Sequence, residues 1–75
     1  MPTIEVSGTY SPRHNTLKDV VADMLRYDEG EIVEVLEDEP HERLPSTNRF
    51  KILVDCVHYT PERWKSYMLR TKEVE

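Results

Sequence analysis

Arg49-Phe50-Lys51-Ile52-Leu53-Val54-Asp55-Cys56-Val57-His58-Tyr59, followed at once by Thr60-Pro61-Glu62-Arg63-Trp64, is the stretch that decides how this chain folds. Phe50, Ile52, Val54, Cys56 and His58 alternate onto one face of an extended segment. Lys51, Leu53, Asp55, Val57 and Tyr59 take the other face, which is half apolar, and a strand apolar on both faces belongs at the centre of a sheet. Thr60-Pro61 then starts a helix: a threonine cap, with proline at the first helical position where its missing amide costs nothing. Trp64, Tyr67, Met68 and Thr71 form the inward stripe of that helix, expected to run to Lys72, with residues 73–75 as a frayed tail.

Upstream, residues 3–10 alternate Ile4, Val6, Gly8 and Tyr10 against Thr3, Glu5, Ser7 and Thr9, a strand with one polar face. Gly8 marks a bulge or a close backbone approach within it. Thr16 with Asp19 three residues on makes a capping-box start. Leu17, Val20, Val21, Met24 and Leu25 then line one stripe of a helix over residues 17–28, with Gly30 placed to end it in the left-handed conformation. Residues 31–37 read as a glutamate-rich edge strand, and 38–48 as an exposed loop. The expected fold is a single α+β domain over 1–75 in the order βαββα. Its three-stranded sheet carries both helices on one face, and 49–59 is the central strand.

The chain has 75 residues, 10 basic and 15 acidic, for a net charge of −5. One small core is all this length can build. No apolar run reaches the ~18 residues of a membrane span, and without a basic-then-apolar opening segment a secretory leader is not expected. Cys56 is the sole cysteine, which excludes an internal disulfide and points to a reducing, cytoplasmic setting. His14, His41 and His58 lie too far apart in sequence for a zinc motif, so neither metal nor cofactor is expected. Cys56 and His58 are the only nucleophile and base close together, but their face is the expected core, where cysteine acts as a small hydrophobe. With no phosphate-cradling glycine loop and little room for a carboxylate-lined cleft, catalysis is not expected.

Charge is segregated along the chain. Residues 28–42 hold eight acids and no Lys or Arg, while the other 60 residues hold ten basic and seven acidic side chains. Such a run serves either as a solubilising face that guards an edge strand or as a docking surface for a basic partner. For the second role the candidate residues are Glu31, Glu34, Glu37, Asp38, Glu39 and Glu42. Arg63, Lys65, Arg70 and Lys72 give the C-terminal helix the opposite character. They suit its C-terminus and can cover the margins of its apolar stripe, or they are the phosphate contacts of a small nucleic-acid-binding module, a role the net negative charge opposes.

The acidic run from Asp28-Glu29-Gly30-Glu31 through Glu42 and the pattern Thr60-Pro61-Glu62-Arg63-Trp64, in a short acidic chain with one cysteine, resemble the small bacteriophage-encoded regulators of large host enzymes, notably RNA polymerase. The resemblance points to a larger host protein, RNA polymerase above all, as the class of partner, and to the host cytoplasm as the setting. Together with the charge segregation and the lack of catalytic equipment, it leads to the expectation of a monomeric, non-enzymatic protein that modulates or inhibits transcription.

Overall fold

The computed structural model describes residues 2–74. Among them the chain order is β1 (Thr3–Tyr10), α1 (Leu17–Tyr27), β2 (Gly30–Pro40), β3 (Asn48–Cys56), α2 (Pro61–Ser66) and β4 (Arg70–Val74). The strands form one antiparallel sheet in the order β2-β3-β1-β4. This is the β-α-β-β-α-β order of a split βαβ arrangement.

The period-two pattern of β1 and β3 places Ile4 opposite Val54, Val6 opposite Ile52 and Gly8 opposite Phe50 on the inner face. Ile4, Val6, Phe50, Ile52 and Val54 are fully buried, and Val21 and Met24 of α1, Trp64 of α2 and Leu69 pack into the same cluster. Gly8 is there for close approach, and β1 has no register break against β3. A Cβ on Gly8 would stand 2.9 Å from Leu69 Cδ2 and 3.3 Å from the Phe50 ring. The expected capping box is present, with Thr16 and Asp19 each accepting the other's backbone amide at 3.2 Å.

Three expectations about the fold are corrected. The sheet has four strands, not three, and the order is βαββαβ. The C-terminal helix stops at Ser66; Met68 adopts φ +62, the chain reverses, and Leu69 turns into the core. Residues 70–74 then pair with the free edge of β1, so Glu73 and Val74 lie in a strand, not a frayed tail, while Glu75 lies outside the described residues. Third, the loop after β2 is shorter than 38–48. Asp38, Glu39 and Pro40 still pair with Phe50, Arg49 and Asn48, and Asp38 accepts a 2.6 Å hydrogen bond from the Tyr10 hydroxyl. Proline is tolerated there because β2 is an edge strand.

The end of α1 differs in one residue. Glu29, not Gly30, takes the left-handed conformation, with φ +49. Gly30 is required for another reason: a Cβ on it would lie 3.0 Å from the Asp55 carbonyl oxygen and 3.1 Å from Cys56 Sγ. The two neighbours should therefore respond oppositely in urea denaturation. Glu29→Gly is expected to stabilise by about 1 kcal/mol, since glycine carries no Cβ penalty at positive φ. Gly30→Ala is expected to destabilise by about 1–3 kcal/mol through crowding.

Candidate functional site

With both helices packed on the inner side, no element among the described residues covers the sheet's other face. Its residues follow from the registers. Across β4, β1, β3 and β2 one row reads Lys72, Glu5, Leu53, Glu34 and the next Arg70, Ser7, Lys51, Glu37. Beyond them Thr9 and Arg49 continue to Glu39, and at the other end Val74, Thr3 and Asp55 continue to Glu31. One edge of this face is thus acidic and the other basic, with hydroxyls between.

The predicted acidic residues divide into three groups. Glu31 and Glu34 are exposed and make no ion pair among the described residues. Glu39 and Glu42 are both bound by the Arg49 guanidinium, the latter at 2.7 Å, and Glu37 stands 4.0 Å from its Nε. The hydrogen bond that Arg49 donates to Glu39 is the leading reason why its guanidinium is held more firmly protonated than usual. The Glu42 carboxyl is held below its ordinary range, first by its own backbone amide and then by Arg49. Asp38 belongs with neither group: exposed, it accepts a hydrogen bond from the Tyr10 hydroxyl and so raises that phenol's pKa. The acidic surface is therefore real along β2 but partly neutralised at its C-terminal end.

β2 also carries apolar side chains that the core does not cover. Val33 is 54% exposed and Val35 50%, with Leu36 beside them. Val33 and Leu36 fall at two places where the β2–β3 register shifts, so each is a bulge residue without a partner in the ladder.

Asp28, the first acid of the run, has no part in the surface. It caps α1, is fully buried, and accepts hydrogen bonds from Trp64 Nε1 at 2.8 Å, the Thr60 amide at 3.2 Å and Arg63 Nη1 at 3.1 Å. It joins the end of α1 to the start of α2, thirty-six residues from its indole partner.

The cationic candidates do not share one helix. Arg63 and Lys65 belong to α2, with Arg63 engaged by Asp28 and lying 5.0 Å from the Tyr27 ring centroid. Arg70 and Lys72 belong to β4, because the helix ends at Ser66, and project onto the open sheet face. Sheets of this kind that read RNA stack bases on aromatic side chains, and the strand positions of this face carry none among the described residues. Cys56 and His58 are likewise separated: β3 ends at Cys56, the thiol is buried and His58 is exposed.

Near the loop end of the open face lies a concavity of about 640 Å³, lined by Ser7, Thr9, Lys51, Arg70 and Met68 among others, with Arg49 and Glu37 on its β2 side. The sequence alone did not reveal it, since β4 was read as helix. The only hint was the run of hydroxyls on the outer positions of β1. Among the described residues no group of three or more His, Cys, Asp and Glu side chains is arranged to hold a metal ion. No helix of the described residues is long and apolar enough to cross a membrane. No protein-family model, curated protein or solved structure matches the chain.

Proposed function

We propose that this is a non-enzymatic regulatory protein that docks on a larger protein through the acidic, aliphatic edge formed by β2. The observation that carries this reading is the composition of that edge. Among the described residues Glu31 and Glu34 make no ion pair, and they stand next to exposed Val33, Val35 and Leu36 on a strand of eleven residues. An apolar centre with a charged margin is the anatomy of a protein interface, and the unpaired carboxylates select a basic partner and speed encounter with it. The partner class is a nucleic-acid-handling enzyme with a basic surface, and the likeness of the chain to phage-encoded regulators puts bacterial RNA polymerase first. Glu37, Glu39 and Glu42 are prearranged by Arg49 and contribute less net charge, while Asp38 supports the strand.

The reading is tested by measuring binding to purified RNA polymerase core and holoenzyme at rising salt. Binding is expected to weaken steeply with salt and to fall at least a hundredfold in the double variant Glu31→Lys/Glu34→Lys. Circular dichroism checks that the variant is folded. A folded double variant that binds as tightly as the parent defeats the acidic docking surface.

A further inference from the structure

The concavity on the open sheet face carries a second inference, independent of β2 docking. Arg70, Ser7 and Lys51 form one row across three adjacent antiparallel strands, with Ser7 in the middle. Strands lie about 4.8 Å apart, so the two cationic residues flank the Ser7 hydroxyl with backbones about 10 Å apart. Both side chains are long enough to converge over it, and Thr9 adds a second hydroxyl on the same face of β1.

Arg70 is exposed and has no ion-pair partner within 4 Å among the described residues. Lys51 has only a 3.7 Å contact with Glu5, a surface pairing of little strength. Arg49 walls the β2 side, and among the described residues its buried Nε has no hydrogen-bond acceptor, Glu37 lying 4.0 Å away. Met68 stands at the lip, 90% exposed and held at φ +62. A large apolar side chain kept in a strained, solvent-facing conformation beside a concavity has the character of a contact residue. The volume falls in the range of small-molecule sites.

We infer that this concavity binds an organic phosphate monoester, its phosphate seated between Arg70 and Lys51 over the Ser7 and Thr9 hydroxyls and its organic body against Met68. Guanidinium and ammonium supply charge-assisted hydrogen bonds to the phosphate oxygens, and the hydroxyls complete the shell. Glu37 is the one carboxylate among the lining residues and opposes the ligand. Among the described residues the outward strand positions of this face carry no aromatic side chain, which favours a small ligand over a nucleic-acid strand.

The test is an NMR titration of the full chain at constant ionic strength with inorganic phosphate, phenyl phosphate and a short single-stranded DNA. Saturable shifts at the amides of Ser7, Gly8, Thr9, Lys51 and Arg70 are expected with both phosphates. Phenyl phosphate should bind several-fold more tightly than inorganic phosphate, and that preference should disappear in Met68→Ala. Arg70→Ala and Lys51→Ala should each weaken binding at least tenfold, and Glu37→Gln should strengthen it. No saturable shift with either phosphate, affinity unchanged in Arg70→Ala, a preference unaltered in Met68→Ala, or binding of DNA alone would each overturn the assignment.

Discussion

The Asp28→Ala protein is expected to lose about 3–5 kcal/mol of folding free energy, a large part of what a domain of this size possesses. The cause is not loss of the Arg63 ion pair as such, because that guanidinium is partly exposed and regains water. Asp28 is fully buried, and its removal leaves the Trp64 indole N–H and the Thr60 amide without acceptors. Each orphaned donor costs about 1–3 kcal/mol, and the vacated carboxyl volume adds to this. Asp28→Asn keeps a carbonyl acceptor and should fall between parent and alanine variant. The double change Asp28→Ala/Trp64→Phe should cost less than the sum of the two, since the second change removes a donor that the first one stranded. Urea unfolding monitored by circular dichroism measures all four. A loss below about 1 kcal/mol for Asp28→Ala would mean that water replaces the carboxylate.

The second large effect concerns Cys56. Its thiol at the end of β3 is fully buried, and burial, reinforced by the negative charges of Asp28 and Asp55, pushes its pKa up to about 11 from 9.0. Only the thiolate reacts with alkylating agents. Native protein at pH 8 should therefore react on the order of a hundredfold more slowly than the urea-unfolded chain, with burial of the sulfur slowing it further. The same shift makes stability depend on pH. Between pH 9 and 11 the unfolded thiol gives up its proton while the folded one keeps it, so the folded state binds more protons and stability falls as pH rises. The associated contribution, about 2–3 kcal/mol, is fully present below pH 9 and lost through pH 11. Denaturation curves of parent and Cys56→Ala at pH 8 and pH 11 check this: the parent's extra sensitivity to alkali should be absent from the variant. Equal sensitivity in both would place the titration elsewhere.

Much of the fold was legible in the residues. The alternation in β1 and β3 gave the core face and the central antiparallel strand, and Thr16 with Asp19 and Pro61 at the first helical position gave the two helix starts, although the Thr60 side chain makes no capping hydrogen bond. β4 was not legible, because Trp64, Tyr67, Met68 and Thr71 also satisfy a helical stripe. In the structure Tyr67 and Met68 are exposed, and the reversal at Met68 depends on a left-handed residue that is not glycine. A strand of five residues with charged alternate positions leaves too short a pattern to compete. The acidic candidates form one run in the sequence, but their division into free, clamped and tyrosine-bound groups depends on which residues of β2 face Arg49 and Tyr10. Two register shifts set that pairing, and imperfect apolar alternation in a Glu-rich segment does not locate them. Asp28 was counted with the surface acids because its partners lie more than thirty positions away.

The interruptions at Val33 and Leu36 bear on how copies of this protein behave when crowded together. One outer strand is rich in carboxylates and the opposite one carries Arg70 and Lys72, so copies stacked flank to flank would attract and could extend without closing. Runaway concatenation of that sort needs a straight, unbroken line of donors and acceptors, and β2 twice steps out of line. Concentrated solutions should accordingly stay clear, and any visitor to that flank must engage its side chains instead of continuing the sheet.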